Sequence, residues 1–283
     1  MIAVTGASSQ LGQLVINGLL KHIAATDIVA LVREPNKASA LTKLGVTVRQ
    51  ADYNQPDTLP AALQGVQKLL LISGSEIGKR VPQHQAVITA AKQQGVKLLA
   101  YTSILHADSN PMLLAAEHKA TEQAIQAAAI PAVILRNGWY TENYTESAPN
   151  NIASGMVMGC AGDGKLYTAS RQDYADAAVA VLLSAEPQAG KVYELAGDTG
   201  FTLSEYAAEI SRLSGKAVHY HNVSQTEYAD FLCQIGLPGG FAAILADSEA
   251  QAATGALADS SSTLSALLGR PTTRWQQSLQ SVL

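Results

Sequence analysis

Three observations predict an α/β chain, a doubly wound parallel sheet with a smaller, mostly helical C-terminal lobe. From Met1 to about Arg136, short β-branched or leucine-rich runs alternate with longer amphipathic stretches, the pattern of repeated βαβ units. Two of the runs, Leu69–Ile72 and Ala132–Leu135, are continuously apolar, as parallel strands buried on both faces are. The first run is followed at once by a glycine-bearing turn that opens a helix.

In chain order, the predicted strands of the sheet are Ile2–Thr5, Ile28–Arg33, Val46–Gln50, Lys68–Ser73, Lys97–Thr102 and Ala132–Arg136. The intervening helices are Leu11–Lys21, Pro35–Leu44, Pro56–Leu63, Pro82–Gln94 and Leu114–Ala128, three of them opened by a proline, which a first turn tolerates. After Asn137 the texture changes to Gly, Asn and Tyr, with a loop through Asn150 and a Gly-rich turn at Gly159–Gly164. A helix at Tyr174–Ser184 and a strand at Lys191–Leu195 follow. Thr202-Leu203-Ser204-Glu205 and Ser224-Gln225-Thr226-Glu227 are capping boxes, each starting a helix, with Ala217–Asn222 a short strand between. Ala242–Ala258, rich in alanine with scattered acids, reads as a weak helix or mobile flap. The expected division is a dinucleotide-binding domain over 1–136, completed by parts of 150–195, and a substrate-binding lobe over 137–283.

Composition removes several function classes. With 47% hydrophobic and 15% charged residues among 283, the chain has the material for a full core. The 19 Lys and Arg are scattered singly against 23 Asp and Glu, so neither nucleic acid nor an anionic membrane is an expected partner. No apolar run reaches the ~18 residues of a membrane span, and Met1-Ile2-Ala3-Val4 reads directly as strand without a charged and apolar leader. A cytoplasmic, soluble chain is therefore expected. Cys160 and Cys233 have no Cys or His neighbour at ligand spacing and read as reduced packing residues; no metal is expected. Oligomeric state has no signature in the sequence.

The turn Gly6-Ala7-Ser8-Ser9-Gln10-Leu11-Gly12 lies between strand and helix, where backbone N–H groups and the helix dipole face a pyrophosphate. Its spacing is that of a Rossmann-type Gly-x-x-Gly-x-x-Gly turn with Ser9 at the middle glycine, a position that then requires negative φ or a strained serine. About 20 residues on, where a carboxylate would bind a ribose 2′-hydroxyl, stands Arg33. A guanidinium makes charge-assisted bonds to a 2′-phosphate, so NADP(H) is favoured over NAD(H). Glu34 reads as a solvated acid at the following helix start. Asp52 is either an adenine-side residue or an Asx turn, and Ser73-Gly74-Ser75 ends the fourth strand on the ligand-binding side of such a sheet.

These residues, with Gln50–Tyr53, Tyr101-Thr102-Ser103, Leu135-Arg136-Asn137-Gly138-Trp139-Tyr140 and Leu268–Pro271, resemble the NmrA-like branch of the atypical short-chain dehydrogenases/reductases from end to end. The resemblance implies that Asn137, Gly138, Trp139, Tyr140, Thr141 and Glu142 border the nicotinamide, and that Arg171 lies near the ligand cleft. It also implies NADPH-dependent reduction of quinones. The alternatives are a non-catalytic NADP(H)-binding redox sensor or a reductase of another aromatic substrate, such as a dye.

The chemistry open to the chain is narrowed by an absence. None of its ten tyrosines has a lysine four residues later, and on the helix in question Lys119 is preceded at that spacing by Ala115. The Tyr-x-x-x-Lys proton transfer used on alcohols is thus not expected. Direct hydride transfer to an electron-poor ring needs positioning above all, and no flavin, since there is one dinucleotide turn. His118, flanked by Glu117 and Lys119, and Tyr101 are the candidates for guiding or protonating a substrate, with a solvated helix face the competing reading for the charged triplet and a core position for Tyr101. Tyr140, Tyr144 and Trp139 suit a flat apolar substrate, or else a core.

Overall fold

The computed structural model describes residues 1–283, which form two compact units of three segments each. The first comprises 1–104, 117–137 and 171–193. It contains β1 (Ile2–Val4), α1 (Gln10–Leu20), β2 (Ile28–Val32), α2 (Ser39–Lys43), β3 (Thr47–Gln50), α3 (Leu59–Ala62), β4 (Lys68–Leu71), α4 (Arg80–Gln93), β5 (Leu98–Ile104), most of α5 (Ala115–Ala128) and β6 (Ala132–Asn137). The second comprises 105–116, 138–170 and 194–283, and holds α6 (Glu142–Thr145), α7 (Ala148–Ser154) and β7 (Met156–Gly159). The chain then gives α8 (Arg171–Leu183) and the start of β8 (Val192–Leu195) to the first unit. The remainder of the second unit is α9 (Leu203–Ser214), β9 (His219–Asn222), α10 (Gln225–Gln234), α11 (Gly239–Ala253), α12 (Thr263–Leu268) and α13 (Trp275–Gln280).

The main sheet has the order β3-β2-β1-β4-β5-β6-β8, with parallel pairing from β3 through β6. Chain order reverses between β1 and β4, so their C-terminal ends open a crevice, the switch point at which such sheets bind ligands. Every residue of β2 and β5 is buried. Alternate side chains serve opposite faces: Ala3, Val29, Leu31, Leu69 and Leu71 pack with Leu59, Leu63, Val87, Ile88 and Ile125 of the helices. At ~25 cal/mol per Å² of apolar area, each such buried leucine contributes on the order of 2 kcal/mol. Helices α1 and α8 pack closely, because Gly18 has no side chain where a Cβ would lie 2.8 Å from Val179 Cγ2.

In the second unit, β7 and β9 form a two-stranded parallel ribbon in the register Met156 to His219. Both capping boxes are present, Thr202 accepting from Glu205 N–H and Ser224 from Glu227 N–H, with each glutamate returning the bond. Four rings, Tyr144, Phe201, Tyr206 and Trp275, make the aromatic core of this unit, Phe201 and Trp275 having centroids 4.7 Å apart. Tyr144 is therefore partly a core residue. Of the two readings of Ala242–Ala258 the helix is the one found: α11 is regular and buries Ala242, Ala246, Asp247, Ser248, Glu249 and Ala252. One expectation is corrected here. Cys233 is exposed rather than packed, in the last turn of α10.

Residues 105–116, expected with the first domain, belong to the second unit because their polar groups find partners there. Leu113 N–H donates to Asp247 Oδ2 at 2.8 Å, the Asn110 amide to Ala256 O at 2.9 Å, and His106 N–H to Glu194 Oε2 at 2.9 Å.

Candidate functional site

At the C-terminal ends of β1, β2 and β4, all within the first unit, a cleft of about 320 Å³ is lined by Gly6, Ser8, Ser9, Arg33, Asp52, Ser73, Gly74, Ser75 and neighbours. Gly6 takes a φ of +56°, a left-handed turn suited to glycine, and hands the chain to α1. Gly12 is required for a different reason: a Cβ there would lie 2.8 Å from Ala7 Cα and closer still to the Gly6 carbonyl. Ser9 has φ −70° and is the N-cap of α1, its Oγ accepting from Gly12 N–H at 3.0 Å. The serine is unstrained, and its hydroxyl keeps a proton to donate to an anion. Of the remaining turn residues, Ala7 is buried and Gln10 and Leu11 open the helix, where first-turn N–H groups lack intrahelical partners.

Arg33 is exposed at the rim, its Nη1 3.5 Å from Glu76 Oε1. Glu34 turns elsewhere, pairing with Lys37 at 2.8 Å, and does not line the cleft. Asp52 serves both readings made of it: Oδ1 accepts from Asn54 N–H at 2.9 Å in an Asx turn, and the residue lines the cleft. These surfaces fit a dinucleotide phosphate: a helix N-terminus with a glycine approach, a hydroxyl donor, and a guanidinium at the end of β2.

Asn137 ends β6, buried, with its Oδ1 lacking a hydrogen-bond partner. An unpaired buried amide oxygen costs about 1–3 kcal/mol and is an acceptor waiting for a donor. In the second unit Gly138 N–H donates to Leu195 O at 2.7 Å, Tyr140 bridges to Ala169, Thr141 N–H donates to Ala169 O at 3.0 Å and its hydroxyl meets Thr168 at 2.8 Å. Trp139 is half-buried, Glu142 begins α6, and Arg171 begins α8 of the first unit.

Of the three residues considered for acid–base work, the structure brings Tyr101 and His118 together in the interior and leaves Lys119 exposed. Tyr101 is fully buried in β5, and His118 is buried on α5 with its Nδ1 2.9 Å from the Tyr101 hydroxyl. His118 is thus on no solvated face, because its ring is enclosed between Tyr101 and Arg80 Nη1 at 3.4 Å. Burial, reinforced by the Arg80 charge, pushes His118 down to about 3, while burial pushes the Tyr101 phenol up. Neither holds a proton it would release to a substrate at neutral pH. Lys119, one residue on, is exposed.

Sequence reasoning missed Arg80, Gln83 and His84. They occupy the first positions of the buried stripe of α4 that continues with Val87 and Ile88. Their spacing of i, i+3, i+4 on an otherwise apolar face was the available signal. His84, like His118, is pushed down, to about 4, by burial and Arg80. No group of three or more His, Cys, Asp or Glu is arranged to hold a metal ion, and no helix is long and apolar enough to cross a membrane.

Comparison with known proteins agrees with this geometry. Residues 1–262 match the NmrA-like family. The chain is 53% identical to quinone oxidoreductase 2 of Escherichia coli over 99% of its own length and 97% of that protein's. It superposes with a TM-score of 0.97 on the crystal structure of the E. coli NADPH-dependent quinone oxidoreductase complexed with NADPH, covering 100% of this chain and 99% of that one at 53% identity. The Citrobacter sp. triphenylmethane reductase complexed with NADP(H) gives a TM-score of 0.95 at 39% identity, with all of both chains covered. Because the family match runs over residues 1–262 and a relative 53% identical is covered almost end to end, the chain belongs to the NmrA-like family.

Proposed function

We propose that this protein is an NADPH-dependent quinone reductase that works by direct hydride transfer, without flavin or metal. The observation that carries the reading is the cleft at the β1–β4 switch point, in which the Gly6–Gly12 turn and Arg33 lie at the two places a phosphorylated dinucleotide needs them. The similarity to an E. coli enzyme named for quinone reduction and crystallised with NADPH supports the substrate and the cofactor. Residue by residue, the backbone N–H groups of Ser8, Gln10 and Leu11 and the Ser9 hydroxyl hold the pyrophosphate, with Gly6 and Gly12 allowing the approach; the Ala7 and Ser9 N–H groups are taken by Leu31 O and Gly6 O and shape the turn. Arg33 holds the 2′-phosphate, Asp52 borders the adenine, and Ser73, Gly74 and Ser75 border a ribose.

Asn137 to Glu142 and Arg171 are assigned to the nicotinamide and substrate end. The Asn137 Oδ1, lacking a protein donor, would accept from a carboxamide N–H. When bound, the reduced nicotinamide supplies a hydride, and the quinone takes up one proton besides. The chain's part is to bind, orient and exclude water. Tyr101 and His118 are retained for position rather than proton transfer, and exposed Lys119 is the side chain of the three left to donate. A cytoplasmic enzyme acting on small aromatic acceptors follows from this reading.

The test is loss of NADPH absorbance, with NADH in parallel, by purified protein given benzoquinones and naphthoquinones. Quinone-dependent oxidation with NADPH preferred is expected, and Arg33→Ala should raise KM for NADPH at least tenfold more than for NADH. Tight NADP(H) binding without turnover would move the protein to the sensor class. The 39% identity to a triphenylmethane reductase favours including a triarylmethane dye as a second acceptor.

A further inference from the structure

The loop after β4 passes under the candidate cofactor cleft, yet its shape is set from behind by buried polar side chains. Both polar groups of Gly74 are taken: its N–H donates to His84 Nε2 at 2.9 Å and its carbonyl accepts from Arg80 Nε at 2.6 Å. Four residues on, Gly78 N–H donates to Glu117 Oε1 at 3.0 Å. A side chain at Gly74 would crowd Gln83 Oε1, 3.1 Å from an added Cβ, so the loop lies close against α4.

Proton counting fixes the direction of this network. A backbone N–H only donates, so His84 Nε2 is bare and the proton of the neutral ring is on Nδ1. Nδ1 therefore donates to Thr121 Oγ1 at 2.9 Å, whose own proton goes to the Glu117 carbonyl at 2.8 Å. Arg80 likewise donates to His118 Nε2, leaving His118 Nδ1–H to donate to Tyr101. Arg80, His84, His118 and Thr121 are each at least nine-tenths buried. Burying so many polar groups is costly unless they are paired, and the paired members hold one another in place; Glu117 Oε2 alone among them is buried without a hydrogen-bond partner.

We propose that Arg80, His84 and Glu117 are positioning residues that fix the height of Ser73-Gly74-Ser75 beneath the cofactor, and so set cofactor affinity without touching it. The proposal rests on the assignment of the cleft to NADP(H). Its experiment compares two amides at one position. In His84→Gln the amide oxygen reaches the place of Nε2 and accepts from Gly74 N–H; in His84→Asn it falls at the place of Nδ1 and leaves that N–H unpaired.

NADPH dissociation constants by cofactor fluorescence, kcat and KM, and melting temperatures are measured for the full chain. The expected result is about a tenfold rise in the NADPH dissociation constant for His84→Asn, with kcat at saturating NADPH within twofold of the parent, and recovery to within about threefold in His84→Gln. Equal effects of the two amides, or parent-like affinity in folded His84→Asn, would overturn the proposal. Glu117→Ala, on a half-buried residue, keeps the test decisive should the histidine variants not fold: a rise of threefold or more is expected, and an unchanged constant refutes the clamp. Ser75→Trp fills the cleft while leaving the clamp intact. Unchanged NADPH affinity there refutes the assignment of the cleft itself, whereas weakened affinity there with parent-like His84→Asn refutes only the clamp.

Discussion

Burial moves two histidines of the first unit and a glutamate of the second in opposite directions. In the first, His84 and His118 are stripped of their protons, held at about 4 and about 3 by burial and by the Arg80 charge. In the second, Glu249 of α11 is raised to about 7 by burial against the opposing pull of hydrogen bonds from Cys160 and Tyr228, so that its carboxyl is about half ionised at neutral pH. One cause acts in both places, the penalty on a charge removed from water. Its outcome differs because histidine becomes neutral by losing a proton and a carboxyl by retaining one. The Glu249 carboxyl also lifts its neighbours: the Cys160 thiol is raised to about 12, first by its own burial and then by that charge. What the difference teaches is that one penalty, falling on a base in the first unit and on an acid in the second, gives pH responses of opposite sign.

For His84 the folded value of about 4 lies below the ordinary 6.5, so its contribution is present above pH 6.5 and lost as pH falls through about 4. For Glu249 the folded value of about 7 lies above the ordinary 4.5, so its contribution is present below pH 4.5 and lost as pH rises through about 7. The largest effect expected is on the acid side, a loss on the order of 3 kcal/mol for His84 alone, at about 1.4 kcal/mol per pKa unit. Hydrogen exchange of α4 and α5 amides between pH 7 and pH 4 reads it, and protection there that does not fall after correction for intrinsic rates would break the comparison.

Next in size, Glu249→Gln keeps an acceptor for the Cys160 N–H and removes the titration. Urea melts should show the variant about 2 kcal/mol more stable than the parent at pH 8 and little changed at pH 5. A constant difference across that range would mean that the carboxyl does not titrate in the folded second unit. The smallest effect is expected from Tyr206→Phe, which deletes a neutral hydrogen bond of 2.7 Å from the phenol to Tyr144 O. It should cost about 1 kcal/mol with the same pH slope as the parent, sharpening the comparison by separating a lost bond from a lost charge.

Legibility in the sequence divides along similar lines. The sheet, its order of elements and the Gly6–Gly12 turn were visible because their demands are local, apolar runs for strands and glycine in the turn; the N-cap role of Ser9, read only as a departure from glycine, was not. The partner of Arg33 was not visible, since Glu76 is distant in sequence and the adjacent Glu34 pairs with Lys37 instead. What escaped were buried polar residues. His118 lies between Glu117 and Lys119, so its neighbours suggested water, although its ring meets Tyr101 seventeen positions away in sequence. The scattered acids of Ala242–Ala258 suggested a weak helix or flap for the same reason, yet Asp247, Ser248 and Glu249 are all buried. Hydropathy reports what a residue prefers, whereas a hydrogen-bond partner distant in sequence decides what it accepts.

Ser9 has a bearing on the unfolded chain as well as on the folded turn. A glycine there would range over both signs of φ before folding, while serine is already confined near the extended conformation it keeps as the N-cap. Replacing glycine by a residue compatible with the native backbone typically stabilises a fold by about 0.4–1 kcal/mol through that lost freedom. The phosphate-facing turn is thereby held in shape by its own entropy deficit, and less ordering is left for an incoming dinucleotide to impose.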